Sequence, residues 1–249
     1  MNIRTELFRD KLPNVAPYCT IEVTDWIGSQ SGEVLATGDG TTVDFSGKVD
    51  LPPVNPLDSF VLHYTIGGTA YSVQADANGN FSDANVTGSV AQDGTWNATF
   101  NTAPDDAIDI TADYSYGIPP ANLENALDPS NPNPSDWGWK TTTGAGTIGE
   151  IEITLPEEGY YLILGRGGFH VISSSETVSI VLRFRVFDTF NNSWRDGVSL
   201  IDTSTSGYSQ EDFSPAGLGY FNKFRLRFYV YNTCEIKVRI DSFGIFKIS

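Results

Sequence analysis

Apolar and polar side chains alternate one by one along residues 141–249. From Val178 to Phe187, one face of an extended chain carries Val178, Ile180, Leu182, Phe184 and Val186, and the other carries Ser179, Val181, Arg183, Arg185 and Phe187. Phe224, Leu226, Phe228 and Val230 alternate in the same way with Arg225, Arg227, Tyr229 and Tyr231. Ile236, Val238 and Ile240 alternate with Lys237, Arg239 and Asp241. A period of two predicts strands with one face in a core and the other turned away from it. Residues 35–117 read as shorter strands cut by turns: Phe60–Ile66 stops at Gly67-Gly68, and Asn78-Gly79 predicts a type I′ hairpin. Upstream, Ile21–Ile27 alternates as a strand, and Thr5–Leu12 predicts a short helix broken at Pro13.

Proline divides these two regions. Ile118-Pro119-Pro120 and Asp128-Pro129-Ser130-Asn131-Pro132-Asn133-Pro134 exclude a regular element, which makes residues 118–140 a linker. Extended at about 3.1 Å per residue, it reaches roughly 70 Å. Trp137-Gly138-Trp139 at its end is expected to dock on a flanking sheet. The fold class is therefore all-β. An arm covers residues 1–34 and a small antiparallel β-sandwich residues 35–117. After the linker, residues 141–249 form a jelly-roll β-sandwich.

Charge narrows the partners. The chain of 249 residues has a formal charge of −16. Residues 1–140 hold 5 Lys/Arg against 19 Asp/Glu, a net of −14, whereas residues 141–249 hold 10 against 12. Binding a phosphate backbone requires Lys and Arg to displace counterions, so nucleic acid is not an expected partner. No apolar stretch approaches the roughly 20 residues that span a bilayer, and Met1–Leu7 lacks the apolar run of a signal peptide. The expectation is a soluble, unsecreted protein without membrane insertion. Cys19 and Cys234 are too few for a disulfide scaffold or a zinc site, and free thiols are expected in a reducing cytoplasm.

Particular motifs carry two resemblances. Thr37-Gly38-Asp39-Gly40-Thr41-Thr42-Val43-Asp44-Phe45-Ser46-Gly47 sets a Gly-Asp-Gly turn before a Thr/Val/Phe strand. With Asp76–Asn80, Val86–Val90, Thr95–Phe100 and Ile108–Tyr114, it resembles a small β-module of tail, baseplate and other virion proteins of tailed bacteriophages. That resemblance covers residues 35–117 and implies a setting, a virion assembled in the host cytoplasm, and no chemistry. Glu152–Ile163, with its Pro156 and Gly159-Tyr160-Tyr161, looks like the early strands of the complement-head and tumour-necrosis-factor jelly rolls. Asp241–Ile248 is similar to that family's closing strand, and the family's habit of forming trimers is what the resemblance implies. Arg239–Phe243 also looks like the last strand of galactose-binding jelly rolls.

Candidate chemistry is sparse. Asp76, Asn78, Asn80 and Asp83 place oxygens as a calcium loop would, but the glycine stands at the fourth position and no Glu at the twelfth, so a plain turn is the expected reading. His63 and His170 lack a nucleophile in any recognisable setting, and Cys19 lacks a local activator. Asp105-Asp106 and Glu157-Glu158 are adjacent residues that point apart on an extended chain, so neither doublet makes a paired acid and base. No enzyme and no cofactor is expected.

The strongest signal is an outward face of Arg183, Arg185, Arg225, Arg227 and Arg239 with Phe187, Tyr229 and Tyr231. Such a face suits a subunit interface, a solvated surface of cross-strand ion pairs, or a ligand site. The expected function is a structural component of a bacteriophage virion, in tail, baseplate or capsid decoration. It acts by symmetric assembly as a trimer, with itself and other virion proteins as partners. The alternative is a module that recognises host-surface glycan through Trp194 and Tyr208.

Overall fold

A computed structural model describes residues 20–120, 138–174, 177–204, 207–213 and 216–247. The chain is nearly all β with antiparallel pairing, and the described residues include no α-helix, only a 3-10 turn at Leu57–Ser59. Two compact units emerge: Ile27–Ile118, and Met1–Trp26 together with Pro119–Ser249. The boundary thus falls at Trp26/Ile27, ahead of residue 35, so the expected arm 1–34 is shared between the units. The predicted helix Thr5–Leu12 and Cys19 lie outside the described residues.

The first strand, β1 (Thr20–Thr24), belongs to the larger unit. The smaller unit holds β2 (Gly28–Thr37), β3 (Asp44–Lys48), β4 (Val61–Ile66), β5 (Thr69–Gln74), β6 (Asn80–Ser82), β7 (Val86–Val90), β8 (Thr95–Phe100) and β9 (Asp109–Tyr116). They form two four-stranded sheets, ordered β2-β9-β4-β5 and β3-β8-β7-β6. On β8, Trp96, Ala98 and Phe100 are buried while Thr95, Asn97 and Thr99 face out, the period-two pattern of a half-buried strand. Phe60 of one layer stacks on Phe81 of the other at 5.9 Å, within a core that includes Leu62, Tyr64, Ile110 and Tyr114.

Asn78-Gly79 does not close a type I′ hairpin. Only Gly79 takes a positive φ, of 82°, whereas a type I′ turn needs both central residues there. The turn closes through Gly79 N–H to the Asp76 carbonyl at 2.9 Å, and it carries the chain from β5 in one sheet to β6 in the other.

The larger unit contains β10 (Gly138–Thr142), β11 (Gly146–Ser174), β12 (Val178–Asp188), β13 (Ser193–Ser204), β14 (Gly207–Phe213), β15 (Ala216–Val230) and β16 (Cys234–Lys247). Its strands run β10-β16-β11-β15-β12-β13, with β1 and β14 also paired to β11. β11 is the spine. Its first part pairs with β1 and β15, and its last part with β14 and β16. Pro156, which has no N–H for a ladder, sits where the β11–β15 register shifts between Thr154 and Gly159. Inward side chains from both parts, among them Ile151, Ile153, Phe169, Leu182, Phe224, Phe228 and Val238, form one core cluster, giving a jelly-roll-like β-sandwich.

The end of the expected linker is structured. Gly138–Thr142 is a strand on β16, and Trp139 Nε1 donates to Glu235 at 3.0 Å. Trp26 is 1% exposed in the same core, over the backbone of Gly149.

Candidate interaction face

Register creates the face. Glu150 of β11 lies opposite Arg227 of β15, which lies opposite Arg183 of β12. Two residues along, Glu152 lies opposite Arg225, and Arg225 opposite Arg185. Each strand buries its alternate apolar residues, so these charged columns share the other side. Phe187 follows on β12, opposite Trp194 of β13.

Much of this charge is already neutralised. Arg225 Nε donates to Glu152 Oε2 at 2.6 Å, and Lys223 Nζ approaches Glu152 Oε1 at 2.5 Å. Arg227 pairs with Glu150, and Arg225 Nη1 reaches Glu150 at 3.5 Å. Glu150 and Glu152 are both buried. Burial works to raise the Glu152 pKa, but Lys223 and Arg225 outweigh it and hold the carboxyl below its ordinary range. Removing one partner from a buried pair typically costs about 3–5 kcal/mol, because the other charge is stranded. These ion pairs brace the β11–β15 ladder. The observed geometry thus contains cross-strand ion pairs whose carboxylates are buried.

The aromatic residues divide into two groups. Trp194 is covered: Arg225 lies 4.1 Å over its ring and Phe187 meets it edge-on at 5.3 Å. One ring face is therefore occupied by a guanidinium, which works against the expected stacking of a sugar there. Tyr229 and Tyr231 meet at 5.1 Å, with Arg183 4.9 Å over Tyr229 and donating to the Tyr231 hydroxyl at 3.3 Å.

The pattern of alternation missed three exposed rings. Tyr160 and Tyr220 lie opposite each other on β11 and β15, 5.2 Å apart and about half exposed. Phe190, at 93% exposure, tips the β12–β13 turn. Asp188 accepts from Phe190 N at 3.0 Å and Asn191 N at 3.2 Å, and it pairs with Arg195. Thr189 of this turn donates to Glu158, tying the turn to the segment just before Gly159. The available signal was an aromatic residue inside the turn sequence Asp188-Thr189-Phe190-Asn191-Asn192, where no core demands one.

Of Arg239 only the backbone is described. Its strand β16 pairs with β10 and β11, away from β12 and β15, and its backbone lies opposite Gly168, sixteen residues along β11 from Glu152. The side chains of Arg239 and Tyr208 lie outside the described residues; the Tyr208 backbone is in β14 opposite His170.

The acidic residues of the smaller unit turn out to hold turns. Asp76 Oδ1 accepts from Asn78 N and Asn80 N, both at 2.9 Å. Asp83 accepts from Asn85 N at 2.7 Å, Val86 N at 2.9 Å and the Tyr64 hydroxyl at 2.6 Å. The carboxylates of the proposed calcium loop thus serve backbone and tyrosine donors, and among the described residues no group of three or more His, Cys, Asp or Glu could hold a metal ion. Asp39 caps Thr41 and Thr42, and Asp105 accepts from Gly67 N and Gly68 N, both at 2.7 Å. The Thr42 hydroxyl holds the Asp39 carboxyl below its usual range, the Asn80 amide does so for Asp76, and the Thr95 amide for Asp93.

His63 Nε2 lies 3.1 Å from Asp113 Oδ2, while Ser31 Oγ donates to Asp113 Oδ1 at 2.8 Å. The Ser31 hydroxyl depresses the Asp113 pKa first, and His63 adds to it. The carboxylate stands between hydroxyl and imidazole, so this trio has no nucleophile–base hydrogen bond of the kind acyl transfer requires. Glu33 is buried with Tyr114 donating to Oε2 and Asp50 N to Oε1 at 2.8 Å. Burial raises its pKa, against those hydrogen bonds. Cys234 is free and buried, and burial pushes its thiol pKa up, the opposite of an activated thiolate.

No protein-family model matches this chain, and no curated protein matches it either. The functional reading therefore rests on the sequence and this geometry.

Proposed function

We propose that the chain is a non-enzymatic structural component of a bacteriophage virion, acting by symmetric self-assembly as a trimer. The observation that carries the assembly reading is a set of exposed rings on the larger unit: Tyr160 and Tyr220, 5.2 Å apart, and Phe190 in the turn that the Thr189–Glu158 hydrogen bond ties to the segment before Tyr160. Single exposed apolar residues are ordinary, but rigid rings grouped beside charged side chains mark contact surfaces. The virion setting draws its support from the resemblance of Thr37–Gly47 and its following strands to phage modules. The trimer draws its support from the resemblance of Glu152–Ile163 and Asp241–Ile248 to trimeric jelly rolls.

In this reading the ion-paired Arg225 and Arg227 stiffen the sheet behind the contact, and the rings supply the buried area. Light scattering on the purified chain should give three times the 27.2 kDa chain mass. Phe190→Asp combined with Tyr220→Asp should lower that mass to the monomer while the far-ultraviolet circular dichroism stays unchanged. A strict monomer for the unaltered chain at high concentration would refute the assembly reading.

A further inference from the structure

Arg183 has a setting unlike its neighbours. Its contacts are the Tyr229 ring, 4.9 Å from the guanidinium carbon, and the Tyr231 hydroxyl at 3.3 Å; no carboxylate pairs with it among the described residues. Arg225 and Arg227, one strand away, both meet carboxylates. Arg227 lies directly opposite Arg183, and like charges in that position repel. Arg227 has Glu150 to offset its charge, whereas Arg183 is held by the Tyr229 ring and the Tyr231 hydroxyl.

A guanidinium carries its N–H donors in a planar fork that matches a carboxylate. Tyr231 takes up one of those donors, and among the described residues no carboxylate takes another. The Tyr231 ring is 47% exposed and sits edge-to-face with Tyr229, which leaves ring surface open beside the fork. Aromatic surface beside a few fixed polar donors is how proteins hold a polar ring with an apolar C–H face. The distant acidic charge acts weakly here, since at physiological ionic strength charges beyond about 8 Å are largely screened.

We propose that Arg183, Tyr229 and Tyr231 form a binding site for a carboxylate-bearing saccharide. The guanidinium of Arg183 binds the carboxylate, and the Tyr231 ring covers the sugar's C–H face. This goes beyond the assembly reading and coexists with it. Tyr229 and Tyr220 lie nine residues apart on β15, roughly 30 Å at strand rise, so the aromatic contact need not cover this end.

Isothermal titration calorimetry with oligogalacturonate and with sialyllactose tests it, with lactose and poly-glutamate as comparisons. The unaltered chain should bind at least one of the two acidic sugars, more weakly as salt rises, and should not bind lactose. Arg183→Gln should weaken binding at least about tenfold, the loss expected for a hydrogen bond between charged groups. Arg183→Lys, which keeps the charge without the fork, should fall between. Tyr231→Ala should also weaken binding, and all three variants should keep the native melting temperature and mass. Failure to bind either acidic sugar overturns the proposal, as does unchanged binding by Arg183→Gln. Equal binding of poly-glutamate overturns it in favour of an acidic-peptide surface.

Discussion

Replacing Gly149 by alanine puts a methyl group where Trp26 already stands. A Cβ on Gly149 would lie 2.2 Å from Trp26 Cε2 and 2.3 Å from Nε1, far inside contact distance. The indole has no room to retreat: it is 1% exposed, packs 5.6 Å from Phe228, and also covers Gly138, whose added Cβ would fall 2.5 Å from Cζ3. Overpacking of this kind costs about 1–3 kcal/mol. Trp26→Ala empties the same space and should cost about 3–5 kcal/mol.

If the two residues were independent, the double variant would lose about 4–8 kcal/mol, the sum of those ranges. Because the new methyl enters the void left by the indole, the double variant should lose no more than Trp26→Ala alone, a coupling of about 1–3 kcal/mol. Scanning calorimetry that follows the transition of the larger unit gives the readout. A 2 kcal/mol loss corresponds to about 4–8 °C in a unit of this size. Additive losses in the double variant, or an unchanged midpoint in Gly149→Ala, would show that Trp26 does not sit over Gly149 and would refute the packing.

Acid titration should give the smaller unit a stability maximum near the lower end of the pH scale. Glu33 has a raised folded pKa, so stability grows as pH falls from that value towards about 4.3; the depressed Asp39, Asp76, Asp93 and Asp113 contribute stability above about 3.9 that is lost as pH falls through their folded values. Melting temperatures measured between pH 3 and 8 should therefore rise and then fall on acidification, and Glu33→Gln should flatten the rise. Gly79→Ala forces an L residue to φ +82° and sets a Cβ 2.1 Å from the Val90 carbonyl, so it should lower stability by more than the roughly 1–2 kcal/mol of the backbone strain alone, read by urea unfolding. Millimolar calcium should leave the melting temperature of the smaller unit within error, because Asp76 and Asp83 already serve N–H and O–H donors; a clear rise would restore the metal-loop reading. Glu152→Ala strands Lys223 and leaves Arg225 only its 3.5 Å contact with Glu150, and should cost the larger unit about 3–5 kcal/mol by the same urea assay.

Alternation along the chain determined the strands and their faces. Phe224, Leu226, Phe228 and Val230 are buried, as are Val178, Ile180, Leu182 and Phe184, while Arg225, Arg227, Arg183 and Arg185 lie on the other side. That much is local, because successive side chains on an extended backbone must point to opposite faces whatever the chain does elsewhere. Turn chemistry was legible for the same reason: an aspartate bonds amides two or three residues ahead, as Asp39 and Asp76 do.

Neighbourhood was decided only in three dimensions. Nothing near Arg225 announces Glu152, which lies 73 residues away and reaches it through the β11–β15 register. Nothing near Arg239 reveals that β16 joins β10 and β11 and leaves β12 and β15 to pair with each other. Trp26 read as part of an arm and became core of the larger unit, because only the assembled sheet leaves Gly149 and Gly138 bare beneath it. Strand identity is written in a few consecutive residues. Strand order depends on which apolar faces close over one another across the whole chain, and no local pattern records that choice.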